Sequence, residues 1–404
     1  MIRGMVRVGR VIEVVALVSS LQISGMLAAQ QESFEANTEK RAARTLSALW
    51  TREVELSVDR GLVWLAKRQD KRGFWFADAG AKGNDWRYDN YNREMTVEMQ
   101  RMRGSGHIGV TALAGMAFLA GGHLPGRGKY GALVERTLNY VLDHVGENGL
   151  ITDSGTRMYS HALATLFLAE VYGMSREKRI KKALEDAVHM ICDSQNAMGG
   201  WRYYLFSSDS DLSITVCQVQ ALRAARNIGI QVPKSNIDHA VKYVLDSRVE
   251  TGPSAGLYDY KIRRNRDGSR RSSGRRRKRK ELHFAINAAA VTSLLSAGVH
   301  DQKWLGRPVD HLLERLEQEI EEFQHHYQFW YGNYYACQAL FHADRLVRKN
   351  AFKIYYDRIK DHLLSDQQDD GRWLNDEGPG DPFSTAVACI VLQVPKQYLP
   401  IFQR

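Results

Sequence analysis

A helix–loop–helix pattern recurs six times along this 404-residue chain, and this repetition constrains the fold more than any other feature. In each repeat, a helix with one apolar stripe is followed by a glycine-containing loop and by a second helix that is apolar on most sides. A helix with one apolar stripe packs on one side only, whereas a helix without a polar face must be surrounded by protein. The pattern therefore predicts an all-α domain over residues 50–404, with six outer helices around six inner ones.

Three of the loops between outer and inner helices share the spacing Q-x3-G-x-W. We expect the glycine to leave the outer helix with positive φ, the glutamine to bind unpaired carbonyls at that helix end, and the tryptophan to cover the turn. Gly149 and Gly256 occupy the same place in two further repeats. The three complete segments are Gln69, Gly73 and Trp75; Gln195, Gly199 and Trp201; and Gln367, Gly371 and Trp373.

These segments resemble the QW-type repeats of squalene–hopene cyclases, oxidosqualene cyclases and protein prenyltransferase β-subunits. The resemblance covers nearly all of residues 50–404 and is closest to exported bacterial proteins with prenyltransferase and squalene oxidase repeats, a group without an established reaction. It implies an (α/α)6 toroid, a double α-barrel of six helical-hairpin repeats. It also implies that ligands sit in the central cavity, near the N-terminal ends of the inner helices.

The catalytic groups of the related enzymes are absent at the matching positions. Class II terpene cyclases carry D-x-D-D-T in the third repeat, and the acid there needs a carboxyl kept protonated by its surroundings. This chain keeps Asp211 and Thr215 but has Ser213 and Ile214 in place of the two central carboxylates. Asp211 and the nearby Asp209 remain as candidates for a divergent acid.

The zinc site of protein prenyltransferases needs converging Asp, Cys and His side chains. Cys337 has Tyr335 where the aspartate would stand, so no zinc ligand is carried over and no cofactor is predicted. The four cysteines lie far apart in predicted helices without a metal-type spacing, and we expect buried free thiols.

A polar column crosses the otherwise apolar inner helices, seven residues before a shared leucine. Two interpretations stay open: the column lines a central cavity, or it caps helices and bonds within the core. Among the aromatic residues that open inner helix five, Tyr331 and Tyr334 are cavity candidates by the same argument. The polar positions of the column are His161, Thr215, Asn287, Asn333 and Thr385.

Residues 1–29 have the features of a secretory signal: arginines, then an apolar stretch from Val14 to Leu27, then Ala28 and Ala29 as a small-residue cleavage site. We therefore predict export to the periplasm or cell envelope, with an uncleaved membrane anchor as the alternative. Residues 30–49 are expected to form a linker or a helix.

One insert at residues 261–280 holds twelve Lys and Arg against one Asp, a charge of +11 that exceeds the net charge of +10 of the whole chain. We expect a disordered surface loop. The run from Arg263 to Lys280 could bind an anionic envelope polymer or lipid headgroup, or have no defined partner. Export argues against nucleic acid.

The sequence favours a toroid that binds a ligand or protein segment in its central cavity. An isoprenoid, a peptide and a glycan all remain open as that ligand. One alternative is a divergent isoprenoid enzyme of the terpene cyclase or prenyltransferase type, and a second is an assembly module of the cell envelope. Whether the chain is an enzyme stays open at this point.

Overall fold

The computed structural model describes residues 46–77, 106–153, 157–262, 283–376 and 378–403. It divides into two compact units, Met1–Thr51 and Arg52–Arg404. Of the first unit only residues 46–51 are described, and residues 46–49 are helical. The predicted signal peptide, most of the segment at residues 30–49 and nearly all of the basic insert lie outside the described residues.

The larger unit is helical throughout its described part, where only isolated bridges occur and no strand. Its outer helices are α1 (Arg52–Arg68), α3 (Gly131–Asp143), α5 (Lys178–Asp193), α7 (Lys234–Asp246), α9 (Gln302–Phe323) and α11 (Ala351–Asp366). Its inner helices are α2 (Ile108–Ala120), α4 (Arg157–Ser175), α6 (Leu212–Asn227), α8 (His283–Ser296), α10 (Tyr327–Leu346) and α12 (Asp381–Gln393). Two short 3-10 turns, Val394–Lys396 and Pro400–Phe402, follow.

The helices close into two concentric rings. Each inner helix packs against the inner helix before it and the one after it, and α12 packs against α2. Each outer helix packs on the inner helix of the repeat before it, α1 packs on α12, and α11 also reaches α1. The double ring of six helical hairpins predicted from the sequence is therefore confirmed.

The burial pattern explains why the two sets of helices occupy different layers. Every residue of α2 is buried, as its lack of a polar face predicts. Helix α5 instead buries one stripe that includes Ile180, Leu184 and Val188, while its lysines and acidic residues face outward. Apolar area removed from water on all sides stabilises an inner helix, and a single apolar stripe stabilises an outer one.

The glycine of each Q-x3-G-x-W loop is fixed by backbone conformation and by a close approach. Gly199 has φ of +87°, and a Cβ there would lie 2.3 Å from the carbonyl oxygen of His239 on α7. Gly73 is held in the same way, with a Cβ 2.2 Å from the carbonyl oxygen of Arg136 on α3. A side chain would therefore push each loop away from the next outer helix.

The sequence predicted that the loop glutamine binds the unpaired carbonyls at the end of the outer helix, and this prediction is wrong. The tryptophan indole, not the glutamine, donates to an unpaired carbonyl at the end of the outer helix, over 2.8 to 2.9 Å. The glutamine amide donates to its own loop glycine and to the next outer helix, because the loop faces that helix. The tryptophan pairs are Trp75 with Leu65, Trp201 with Ile191, and Trp373 with Leu363.

The last of these loops joins the two ends of the ring. Gln367 follows α11, and its amide donates to the carbonyl oxygen of Ser57 on α1 over 2.9 Å. The hydroxyl of Ser57 donates back to Gln367 Oε1 over 2.9 Å. The sixth repeat is therefore joined to the first by a glutamine-to-backbone hydrogen bond. The other two Q-x3-G-x-W loops make the same kind of bond to the outer helix of the next repeat.

The C-terminal tail crosses the far end of the inner barrel. The amide of Ile401 donates to Glu170 Oε2 on α4 over 3.3 Å, and its carbonyl lies 3.0 Å from His342 Nε2 on α10. Both side chains belong to the C-terminal halves of their helices. The N-terminal ends of the inner helices, where the loops enter, thus lie at the opposite end of the barrel.

In the described ranges, every helix falls short of the length or apolarity needed to cross a membrane.

Candidate ligand-binding site at the N-terminal ends of the inner helices

The polar column predicted from the sequence faces the loops. In four of its five positions, the side chain accepts a hydrogen bond from a backbone N–H of the preceding loop, over 2.9 to 3.1 Å. In repeat one, Thr111 stands one residue before the column position and accepts a hydrogen bond from the backbone N–H of Trp75 in the same way. The pairs are His161 with Ile151, Thr215 with Trp201, Asn287 with Tyr258, and Thr385 with Trp373.

The column thus pins each loop to its inner helix, and its members satisfy buried backbone groups. Asn333 differs: it donates to Phe329 O on its own helix and accepts from the hydroxyl of Tyr355. Burial lowers the pKa of His161 to about 4, so its ring is neutral. Ligand binding by these residues stays a prediction, and their polar atoms already have partners.

Asp211 is the N-cap of α6 and is fully buried. Its Oδ1 accepts from the backbone of Ile214 over 2.9 Å and from the hydroxyl of Ser213 over 2.7 Å. Its Oδ2 accepts from the hydroxyl of Tyr260 over 3.0 Å and pairs with the guanidinium of Arg202. All four partners donate to the carboxylate, and such contacts stabilise its ionised form.

This environment is the opposite of the one that a cyclase acid requires. A general acid must carry a proton, and a neighbouring cation together with three further donors favours the charged carboxylate instead. Ser213, which stands in place of one of the missing carboxylates, donates to Asp211. The site therefore holds Asp211 as a fixed anion and a helix cap.

Asp209 lies beside this centre, with 45% of its side chain exposed. Its carboxylate binds Lys261 Nζ at 2.6 Å and lies 3.7 Å from Arg202 Nε. The sequence assigned Lys261 to the basic insert, but it lies before the undescribed residues and belongs to this site. Two carboxylates and two cations thus meet here, and their charges cancel.

A group of tyrosines surrounds the centre, and we call it the tyrosine cluster: Tyr159, Tyr203, Tyr260, Tyr331 and Tyr335. Tyr159 Oη donates to Ser213 Oγ over 2.6 Å, and Tyr331 Oη donates to the carbonyl of Ser213 over 3.2 Å. The hydroxyls of Tyr203 and Tyr260 lie 3.2 Å apart. Ser213 and Asp211 therefore connect α4, α10 and the loops that precede α6 and α8.

Two tyrosines of the cluster combine a dry environment with accessible surface. Desolvation raises the pKa of Tyr159 and of Tyr331 well above 10, so both hydroxyls stay protonated. Both side chains nevertheless keep accessible surface, as does Leu163 one turn below Tyr159 on α4. Desolvated side chains that keep accessible surface are typical of the wall of a recess. We call the space beside Tyr159, Tyr331 and Leu163 the recess.

Below the recess, side chains of α6 and α10 bridge the lumen. Tyr331 reaches Ser213, Tyr335 Oη lies 3.0 Å from Cys217 Sγ, and Gln338 binds Gln220. The three contacts follow one another at turns of the two helices, although α8 lies between α6 and α10 in the ring. This ladder bridges one side of the lumen from the recess downward, and the Ile401 segment lies across its far end.

Comparisons with known proteins identify the fold. No family model and no curated protein matches the sequence. Solved structures match over most of their own length. A type II terpene cyclase, MstE from Scytonema, bound to geranylgeranyl dihydroxybenzoate, is 14% identical with a TM-score of 0.53, over 86% of this chain and 98% of that chain.

A glycoside hydrolase family 76 mannosidase from Bacteroides thetaiotaomicron is 10% identical with a TM-score of 0.54, over 85% of this chain and 97% of that chain. An alpha-amylase from Clostridium perfringens is 10% identical with a TM-score of 0.54, over 83% and 97%. The chain is an α/α toroid. Since these identities are low, the likeness extends to the fold and not to the reactions of those proteins.

Tyr334, the second aromatic candidate, lies in the interior of the toroid. Only 4% of the residue is exposed. Burial and the nearby Glu170 and Cys337 raise its pKa well above 10. It lies deeper than Tyr331, one turn further into the barrel.

The sequence did not single out three groups of this site: Tyr159, Tyr260 and Arg202. They belong to three different repeats or loops and share no spacing, so their convergence depends on ring closure. The signal available was the aromatic content of the segment after Trp201, which includes Tyr203 and Phe206.

Across the described ranges, no three His, Cys, Asp or Glu side chains lie close enough to hold a metal ion. All four cysteines are free thiols, as expected from their spacing. Burial raises the pKa of Cys217 to about 12, which keeps this thiol of the ladder protonated.

Proposed function

We propose that this toroid is an exported binding protein of the squalene cyclase and prenyltransferase type, which holds its ligand in the recess of the tyrosine cluster. The observation that carries the proposal is the convergence of two partly exposed tyrosines on Ser213. Tyr159 and Tyr331 are dry yet accessible, and their hydroxyls meet at Ser213. Recesses of aromatic walls with a few fixed polar groups are the usual form of a ligand site.

Binding without class II cyclase chemistry agrees with the state of Asp211. A carboxylate that receives four donors has no proton to give to an alkene or epoxide. Asp209 is paired with Lys261 and lies 3.7 Å from Arg202. The toroid keeps the scaffold of the cyclases, and its recess serves recognition.

The proposal is tested by scanning small-molecule, peptide and oligosaccharide libraries for ligands that stabilise the full chain against heat. A ligand of the recess should lose at least tenfold in affinity in Tyr159→Ala and Tyr331→Ala, measured by isothermal titration calorimetry. Tyr398→Ala is the matched control, since Tyr398 is 45% exposed and follows the 3-10 turn Val394–Lys396 beyond the inner helices. Equal loss in Tyr398→Ala, or ligands insensitive to all three changes, would exclude the recess.

A second candidate function is a divergent isoprenoid enzyme that uses Asp209 or Asp211. The aromatic recess favours it, because aromatic faces stabilise cations. Incubation with squalene and with geranylgeranyl diphosphate distinguishes the two functions. A cyclised or transferred product that disappears in Asp211→Asn, with unfolding unchanged, would replace the binding proposal by this one.

Export is part of the proposal and rests on residues 1–29. We expect expression in a bacterial host to deliver the chain to the periplasm or envelope, with a mature N-terminus after Ala28 or Ala29. Fractionation and N-terminal sequencing measure both. If a variant lacking residues 1–29 still reaches the periplasm or envelope, residues 1–29 are not the export signal. An intact N-terminus in the membrane fraction would indicate an uncleaved anchor.

A further inference from the structure

The lumen of the toroid offers a ligand little depth on the α6 and α10 side. The ladder from Tyr331–Ser213 through Tyr335–Cys217 to Gln338–Gln220 bridges the barrel there. The Ile401 segment spans the far end between Glu170 and His342. A long apolar molecule inserted along this side of the axis would have to displace the ladder and the Ile401 segment. A ligand lying across the N-terminal end of the inner barrel, which we call the mouth, would meet the tyrosine cluster directly.

The charges at the mouth cancel pairwise. Asp211 pairs with Arg202, and Asp209 pairs with Lys261. Each of these four charges already has an opposite charge beside it, so a ligand of either charge would have to compete with one of the two pairs. The described mouth is therefore suited to an uncharged ligand.

The remaining polar groups of the mouth are neutral hydroxyls. Desolvation raises the pKa of Tyr159, Tyr260 and Tyr331 above 10, so each keeps its proton. Each hydroxyl donates that proton within the cluster, which leaves its oxygen to accept a hydrogen bond from a ligand. Each hydroxyl is carried on a flat aromatic ring. Hydroxyl groups beside flat apolar faces are the complement of a sugar ring, which has hydroxyls at its edge and C–H groups on its faces.

An exposed aromatic residue stands in the loop that leads into α6. Phe206 is 66% exposed and adopts a φ of +57°, a conformation that is uncommon for a residue with a side chain. Strained and exposed residues of this kind cluster at binding sites. Phe206 lies three residues after Tyr203 and five before Asp211, so the same short loop carries the exposed ring and part of the cluster.

We propose, on the basis of the proposed binding function, that the ligand is an uncharged carbohydrate chain lying across the mouth, with sugar rings stacked on Phe206 and on the ring of Tyr203 or Tyr331. The hydroxyls of the tyrosine cluster bind the hydroxyls of the sugar beside them. Phe206 then determines affinity for chains longer than one sugar, because it stands outside the recess.

The test uses the full chain and five probes in isothermal titration calorimetry: maltohexaose, cellohexaose, a mannohexaose, an uncharged hexapeptide and farnesol in detergent. We expect one hexasaccharide to bind and its monosaccharide to bind at least tenfold more weakly. Phe206→Ala should lower hexasaccharide affinity at least fivefold and leave the monosaccharide unchanged. Leu346→Ala is the control, since Leu346 is 52% exposed at the far end of α10.

The outcomes separate this inference from the function on which it rests. Binding of the hexapeptide or farnesol that is lost in Tyr331→Ala, without oligosaccharide binding, would keep the recess as a ligand site and overturn the carbohydrate. Oligosaccharide binding that survives both Phe206→Ala and Tyr331→Ala would place the sugar elsewhere and also overturn the inference. If none of the five probes binds, the carbohydrate is overturned, and the ligand libraries decide the binding function separately.

Discussion

Single buried residues hold together the parts of this toroid that the chain brings from far apart. Asp211 begins α6, anchors the loop before it through Arg202, and accepts from Tyr260 in the loop that precedes α8. A buried carboxylate without partners would be costly, so each donor also protects the fold. The same side chain thus serves as a helix cap and as the centre of the candidate site.

The pair of Arg202 and Asp211 gives a prediction for stability. Arg202→Met leaves a buried anion without its cation, and we expect a loss of about 3 kcal/mol in unfolding free energy. The double variant Arg202→Met/Asp211→Asn should recover part of that loss, since a neutral amide needs no cation. Urea unfolding measures both, and a double variant less stable than Arg202→Met would contradict the assignment.

Two glycines with similar backbone conformations give a second prediction. Gly229 has φ of +96° with open space around it, whereas a Cβ at Gly199 would lie 2.3 Å from the carbonyl oxygen of His239. Gly229→Ala should cost about 1–2 kcal/mol through conformation alone. Gly199→Ala should cost at least about 1 kcal/mol more, because α7 must also move. Equal losses of unfolding free energy in the two variants would mean that the contact between a Cβ at Gly199 and His239 does not destabilise the fold.

At the scale of the elements, the outer helices are linked by loop glutamines. Gln69 binds α3 through Leu133, and Gln195 binds α7 through Asn236. Gln367 makes the corresponding bond to α1, between residues more than 300 positions apart. The last bond closes a ring, whereas the first two join helices of consecutive repeats.

This difference predicts distinct local effects from one substitution. Gln367→Ala and Gln195→Ala should each lower the unfolding free energy by about 1–3 kcal/mol, since each removes one hydrogen bond to the loop glycine and one to the next outer helix. Only Gln367→Ala should accelerate hydrogen exchange of the α1 amides, because α1 then loses its tie to the sixth repeat. Faster α1 exchange in Gln195→Ala as well would indicate that the whole ring loosens as one unit.

At the scale of the whole molecule, the described part of the toroid buries two glutamates, Glu170 and Glu319, in addition to Asp211. Burial raises the pKa of Glu170 to about 8 and that of Glu319 to about 8, from a reference of 4.5. Glu170 lies at the far end of the inner barrel, where it accepts from the tail at Ile401, and Glu319 lies on the outer helix α9. Both carboxyls stay protonated at neutral pH, while the unfolded chain would ionise them.

A pH dependence of stability follows. The folded state binds these protons more tightly, so their contribution is complete below pH 4.5 and is lost as the pH rises to about 8. Each group can lower stability by at most about 1.4 kcal/mol per pH unit in that window. Glu170→Gln should reduce the slope between pH 5 and 8, and Glu319→Gln should do so independently. Urea midpoints measured at four pH values decide this, and an unchanged slope in both variants would contradict it.

The sequence alone determined the double ring, because apolar periodicity and loop glycines are local signals. An apolar stripe such as Ile180, Leu184 and Val188 specifies an outer helix wherever it stands in the chain. The position of Gly199 at a helix end likewise follows from backbone conformation alone. These signals were enough to predict twelve helices and the loops that join them.

Only the tertiary structure decided which side of each inner helix faces the lumen. An inner helix that is apolar on most sides carries no pattern that fixes its rotation about its own axis. From the sequence, His161 and Thr215 could therefore either line a cavity or bond within the core, and the structure shows each of them bonded to the loop before its helix. Tyr159, Tyr260 and Tyr331 meet at Ser213 and Asp211 only because the ring closes, and no spacing along the chain encodes that contact.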